Sequence, residues 1–206
     1  ALPILVLKKP ATPSGSATSG SKTSLSVTFT SLWPIETNVY LYTSSSGGSP
    51  VASSLGNSGS TVTFTGLTEG TTYYAAITSS KSAYYTDSPE SDRFAIATNA
   101  APQAPTITTQ PVSTNVTSGS SYTLTIAATS PDGGTISYQW KRDGTNVGTG
   151  TTNSSSLAVG TYNFTVDVTN TKNGLTTVLT SNTATVRVYS AVSLSNLTVN
   201  QVISGT

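Results

Sequence analysis

The sequence predicts an all-β protein folded as two tandem β-sandwiches, with extended segments at both ends. Three observations carry that prediction. The first is Gly66-Leu67-Thr68-Glu69-Gly70-Thr71-Thr72-Tyr73-Tyr74, a Leu, a Gly-bearing turn and then a Tyr. This is how a sandwich takes its chain from one sheet to the other, with the Tyr hydroxyl bonded to backbone a few residues upstream. The second is Gly160-Thr161-Tyr162, a weaker form of the same corner. The third is short period-two alternation, as in Val62 and Phe64 before the first corner and Tyr73, Ala75 and Ile77 after it.

Size and composition agree. A chain of 206 residues accommodates two sandwiches of ordinary size. Charged residues are only 8% of it, which argues against ordinary disorder, and Thr-rich runs broken by Gly, Pro, Asn and Ser point to strands. Nine Lys and Arg against eight acids leave no basic field for nucleic acid or an anionic membrane. No run approaches the roughly 18 apolar residues that span a bilayer. Cys, His and Met are absent, which removes disulfides, thiolate metal sites, the usual general base and the commonest metal ligand. The missing Met has two readings, a leader cut before Ala1 or a trimmed initiator Met; the first implies export and the second cytoplasmic synthesis, for example of a virion part.

Residues 1–9 form an apolar arm, Ala1-Leu2-Pro3-Ile4-Leu5-Val6-Leu7 closed by Lys8 and Lys9. An exposed apolar strand is an aggregation hazard, so burial is expected. Two burials are open: a first strand folded onto its own sandwich, or a strand that completes a neighbouring subunit or docks in a groove elsewhere. Leu2, Ile4, Leu5, Val6 and Leu7 are the candidate assembly contacts.

The first sandwich is expected over residues 10–98. Pro10 to Thr18 reads as an edge strand opened by prolines, and Leu25, Val27 and Phe29 alternate with Ser26, Thr28 and Thr30. Val39-Tyr40-Leu41-Tyr42 follows, ended by Ser44 to Pro50, and Arg93-Phe94-Ala95-Ile96-Ala97-Thr98 closes the set. With Leu25-x-Val27-x-Phe29, the Leu67 to Tyr73 corner and a final strand from Ser91 to Thr98, this half resembles a fibronectin type III domain. Phe29 stands where that family usually has Trp, and Glu69 where the corner usually has Pro. The resemblance implies a module and no activity. Trp33, Tyr84 and Tyr85 lie in two connections expected at one end of the sandwich, and are the candidate recognition loops, as a contact patch or sugar-stacking platform. The alternative is that Trp33 caps its own core.

Residues 99–105, Asn99-Ala100-Ala101-Pro102-Gln103-Ala104-Pro105, read as a Pro-stiffened linker. The second sandwich is expected over residues 106–189. Tyr122, Leu124 and Ile126 alternate, Ile136 to Lys141 forms the next strand, and Asp143-Gly144 is a hairpin turn. Gly160 to Val166 is the corner and its strand, and Ala184 to Val188 the last. Tyr138-x-Trp140, the Asp143-Gly144 turn and Gly160-x-Tyr162-x-Phe164 make this half similar to immunoglobulin-like domains of the bacterial and phage kind. Where disulfide-bonded members place two Cys about the core Trp, this sequence has Ile126 and Phe164, so Ile126, Trp140 and Phe164 are expected in one cluster.

Residues 190–206 alternate but are too short for a domain. Asn196 to Asn200 followed by Ile203-Ser204-Gly205-Thr206 is similar to the repeats of phage tail-fibre shafts, which makes Leu194, Leu197 and Val199 further candidate contacts.

No catalytic set, cofactor site or metal-ligand cluster can be assembled. Asp87, Glu90 and Asp92 are close enough in sequence to hold Ca²⁺ weakly, against the plainer reading of solvated loop acids. Asn115, Asn153, Asn163 and Asn196 sit in Asn-x-Ser/Thr triplets, which matter only after export through a glycosylating pathway. The sequence therefore points to a non-enzymatic display protein at a virion surface, a capsid decoration or tail- or fibre-associated protein, with other virion proteins and copies of itself as partners. The alternatives are an extracellular adhesin or pilus-like subunit joined by strand exchange, and accessory modules of a secreted polysaccharide hydrolase contacting cell-surface glycan.

Overall fold

A computed structural model describes residues 5–31, 35–80 and 85–191. All regular structure in it is β. The chain divides into two compact units, one built on residues 1–103 and the other on 104–131, 135–170 and 178–206.

The first unit holds β1 (Leu5–Val6), β2 (Ser14–Ala17), β3 (Leu25–Thr28), β4 (Glu36–Tyr42), β5 (Ala52–Asn57), β6 (Thr61–Phe64), β7 (Thr72–Ser80), β8 (Tyr85–Thr86) and β9 (Phe94–Ala97). Two sheets, ordered β2-β3-β6 and β5-β4-β7-β9, form the three-on-four sandwich of a fibronectin type III-like fold. Inward residues of both sheets make one core, Leu25, Val27, Phe29, Val39, Leu41, Tyr73, Ala75, Ile77 and Ile96 among them. Phe29 fills the slot expected of Trp and is buried. Gly15 on β2 has a packing reason: a Cβ there would meet Ser26 O at 2.4 Å and Ile96 Cδ1 at 2.5 Å.

The corner forms as expected. The Thr68 amide donates to Tyr73 Oη at 2.9 Å, and the Leu67 amide to Thr23 O at 2.9 Å. Glu69 does separate work, because its carboxylate accepts the Ala101 amide at 2.8 Å and pairs with Lys22 at 2.8 Å. Lys22 first, then that amide, hold the Glu69 carboxyl below its ordinary range.

The second unit holds β10 (Thr106–Thr109), β11 (Thr114–Thr117), β12 (Ser121–Thr125), β13 (Ala127–Thr129), β14 (Thr135–Arg142), β15 (Thr145–Thr149), β16 (Thr152–Ser156), β17 (Gly160–Lys172), β18 (Leu175–Thr180) and β19 (Ala184–Tyr189). Its main sheet runs β11-β19-β17-β14-β15, with β18 also on β17, and faces the pairs β12-β16 and β10-β13. The entry strand is split, its first half antiparallel to β13 and its second parallel to β19, as in immunoglobulin-like sandwiches. Ile126, Trp140 and Phe164 do share one core, all at 2% exposure or less, with the Tyr122 ring tilted against Phe164 at 5.2 Å between centroids. The Trp140 indole N–H is satisfied by Gly150 O at 3.0 Å. Asp143 and Gly144 both take positive φ (48° and 83°), the hairpin geometry that their residue types favour. Tyr162 Oη donates to Ala158 O at 3.1 Å, the second corner.

Three differences from the sequence expectation are local. The first edge strand is Ser14–Ala17 rather than Pro10 to Thr18, because Pro10 and Pro13 have no N–H for the ladder. Ala52–Asn57 is a strand with no alternating signature. The last strand of the first unit is Phe94–Ala97 rather than Arg93 to Thr98, because the chain leaves the ladder at Ser91.

That departure is closed by one device used three times. Ser91 N–H donates to Ile77 O at 2.9 Å while Ser91 Oγ accepts the Ile77 amide at 3.0 Å. Ser88 does the same to Ser79 at 2.9 and 2.8 Å, and Ser181 to Val166 at 2.9 and 2.9 Å. Each hydroxyl then donates to the carbonyl of the residue after it. A buried backbone pair is satisfied at a point where a regular partner is missing.

Phe164→Ala is expected to lower the unfolding free energy by roughly 3–5 kcal/mol in chemical denaturation, since it removes a fully buried ring from the core that also holds Trp140. Tyr73→Phe keeps the ring and loses the corner bond, an expected loss of about 1 kcal/mol.

Candidate functional site

The residues picked from the sequence for assembly and recognition fall in two groups. Leu2, Ile4, Trp33, Tyr84, Leu194, Leu197 and Val199 lie outside the described residues. Leu5, Val6, Leu7 and Tyr85 lie together: β1 pairs in parallel with β8, Leu5 opposite Tyr85 and Val6 opposite Thr86, and the Leu7 amide reaches Thr86 O at 3.4 Å. The arm and one recognition connection thus meet, which neither pattern predicted alone. The join is small. Val6 stays 65% exposed, and the nearby Lys9–Asp92 pair (2.7 Å) has side chains 47% and 77% exposed, a geometry worth at most about 1 kcal/mol. Below the arm lies a groove of about 320 Å³ with Leu7, Pro10, Ala11 and Ile35 among its walls and Lys8, Lys9 and Thr30 on its polar side.

A second constellation on this unit was not picked out from sequence. Tyr42 sits on the outer side of β4, yet only 5% of it is exposed. Its hydroxyl donates to Glu90, and the Arg93 guanidinium lies 3.4 Å from its ring centroid. Arg93 Nε donates to Glu90 Oε1 at 3.0 Å, and Arg93 Nη1 to the carbonyls of Ser44 (2.8 Å) and Gly47 (2.9 Å). Strand order is β4-β7-β9, so the Tyr42 ring must cross β7 to reach Glu90. The small Ala76, fully buried on that outer side, leaves room for the crossing. Burial first, then the Glu90 bond, push the Tyr42 hydroxyl up to about 12, so it remains a donor at any physiological pH. The arrangement pins the Ser44–Gly47 loop to the last strand. The only trace in sequence is a lone Arg beside an apolar strand.

Two of the three acids considered for Ca²⁺ are turned to other uses, Glu90 to Tyr42 and Arg93 and Asp92 to Lys9. Among the described residues no three His, Cys, Asp or Glu side chains are grouped to hold a metal. In the second unit Lys141 Nζ meets Asp167 Oδ2 at 2.6 Å and Thr180 Oγ1 donates to Asp167 Oδ1 at 2.8 Å. The Lys141 bond first, aided by Thr180, holds the Asp167 carboxyl below its ordinary range.

The chain matches no protein-family model and no curated protein. Among solved structures it is similar to the fibronectin(III)-like modules of Clostridium thermocellum CbhA, at 14% identity and TM-score 0.41, covering 89% of this chain and 91% of that one. It is similar also to the FN1-FN3 domains of chicken CNTN1, at 13% identity and TM-score 0.46, covering 92% and 69%. A tandem of titin domains aligns at 13% identity and TM-score 0.39, covering 90% and 66%. At these scores the likenesses add nothing to the strand order itself.

Arg93→Ala is expected to lower stability by about 2–3 kcal/mol, since it removes three bonds and a stacked cation from a side chain only 10% exposed. Denaturant titration measures it. A carboxylate with a lower pKa folded than unfolded adds stability above its unfolded value, and loses it as pH falls through the folded one. Stability of the second unit is therefore expected to drop below about pH 4, and Asp167→Asn to flatten that drop in melting curves taken across the acid range.

Proposed function

We propose that this chain is a non-enzymatic structural and display protein of a virion, a capsid decoration or a tail- or fibre-associated protein. Its two sandwich units present surface for attachment, and its segments 1–9 and 190–206 join it to other virion proteins and to copies of itself. The observation that carries the reading is the arm. Ala1 to Leu7 is the most apolar stretch of the sequence, yet Val6 is 65% exposed and the described pairing with β8 spans two residues. An apolar strand that leaves Val6 so exposed is suited to burial on another molecule. A second reading, an extracellular adhesin or pilus-like subunit joined by strand exchange, is favoured by the same pairing, since the β8 of a second copy offers the arm an identical partner.

Removal of residues 1–7 tests the proposal. The shortened protein is expected to melt within about 4 °C of the full chain, since two paired residues contribute little. Cryo-microscopy of particles from cells carrying the shortened gene should then show them without the sandwich density that the full gene gives. A collapse of the melting temperature would return the arm to its own fold, and full occupancy of particles would contradict docking.

A further inference from the structure

One arginine of the second unit sits between the two sheets with no acid to answer it. On β14, Ile136, Tyr138 and Trp140 turn to the core, and Arg142 continues that side at the end of the strand. Its side chain is half-buried there, with the guanidinium 5.7 Å from the centroid of the Tyr162 ring. Among the described residues no carboxylate pairs with it and no carbonyl accepts from it. The acids of this unit are engaged elsewhere, Asp143 with the Asn163 amide at 3.0 Å and Asp167 with Lys141. Arg93 of the first unit is the contrast, since its fork meets Glu90, Ser44 O and Gly47 O. Around Arg142 lies a concave site of about 290 Å³, walled by Tyr122, Val147, Asn153, Ser154 and Ser155. β12 and β16 set Leu124 opposite Asn153 and Tyr122 opposite Ser155, so Asn153 and Ser155 share the core-facing side with Arg142. Tyr122 Oη donates to Asn153 Oδ1 at 2.6 Å, which leaves the Asn153 amide hydrogens for the site. Gly148 makes room for them, because a Cβ there would stand 3.1 Å from Asn153 Nδ2. Burial raises the Tyr122 hydroxyl above its ordinary range and Arg142 acts against that rise, so the cation is felt inside the site.

We propose that this site binds one uronic acid residue of an acidic polysaccharide, a sugar ring carrying a single carboxylate. The guanidinium and the Asn153 amide bring only donors, so the group they meet must accept. A guanidinium fork matches a carboxylate through two parallel bonds. One cation balances one negative charge, which favours a carboxylate over a phosphate dianion. The ring hydroxyls find partners as well: Ser155 Oγ donates to Ser156 O and keeps its lone pairs to accept from a sugar. Val147 is the one aliphatic wall, so a peptide C-terminus would find no pocket for its last side chain. The volume lies at the small end of ligand sites and takes a single ring rather than a folded segment. The site goes beyond the display reading above and does not rest on the arm.

Titration of the isotope-labelled full chain with sodium glucuronate and sodium galacturonate, at constant ionic strength and read by amide NMR shifts, tests it. At least one of the two should give saturable shifts at residues 142 and 153–155, with a Kd near about 1 mM for so few bonds. Glucose at the same concentrations should leave those amides unmoved. Arg142→Gln should weaken binding at least about tenfold, and Arg142→Lys, which keeps the charge without the fork, should fall between. Both variants should melt as the parent does, because no internal acid loses a partner. Removal of residues 1–7 should leave binding intact, so this site and the docking of the arm fail separately. No saturable shift with either uronate, shifts matched by glucose or inorganic phosphate, or binding undiminished in Arg142→Gln would each overturn the proposal. So would tighter binding of an N-acetylated tripeptide through its C-terminal carboxylate.

Discussion

A sandwich of this type depends on its penultimate strand, and that strand depends on what its backbone meets where the last strand lets go. In both units the last strand breaks before it resumes, and the gap falls over buried residues, Ile77 in one and Val166 in the other. An orphaned amide and carbonyl there would cost several kcal/mol in a protein whose whole margin is of order ten. One serine answers both groups at once, with N–H to the carbonyl and Oγ to the amide. That closure leaves neither backbone group unpaired where β7 and β17 carry the buried Ile77 and Val166.

The rest is arranged around those two strands. The corner tyrosines fix where each begins, Tyr73 as an acceptor for Thr68 and Tyr162 as a donor to Ala158. The outer side of β7 is crossed by Tyr42 on its way to Glu90, and that of β17 carries Asp167 on its way to Lys141. Each unit thus spends a charged pair on that outer side, Glu90–Arg93 on the first and Asp167–Lys141 on the second.

Much of the fold was legible because its signals are local. A Gly-bearing turn with Tyr at a fixed distance, alternation through Leu25, Val27 and Phe29, and Asp143-Gly144 each encode their own geometry. The core trio Ile126, Trp140 and Phe164 was legible through a family resemblance to sites where other members carry a cross-link. The serine closures were not, since more than a third of the chain is Ser or Thr and nothing marks three of them. β5 was missed because Ala-Ser-Ser-Leu-Gly-Asn is mostly small and polar, so its half-buried side, with Ala52 on the core, writes no hydrophobic period. The Tyr42–Glu90–Arg93 cluster and the pairing of Leu5 with Tyr85 join residues distant in sequence, and such contacts leave no spacing to read. The recognition aromatics remain a sequence argument: Trp33 and Tyr84 fall outside the described residues, and Tyr85 is engaged with the arm.

Native-state hydrogen exchange at two amides tests the account most directly. If serine closure holds the penultimate strands, the Ile77 and Val166 amides exchange among the slowest of their units, and Ser181→Ala speeds Val166 at least about tenfold while Ile77 is unchanged, as loss of one buried bond of about 1.4 kcal/mol or more requires. Exchange of both amides at the rate of exposed loops, or a Val166 rate indifferent to Ser181, would contradict it.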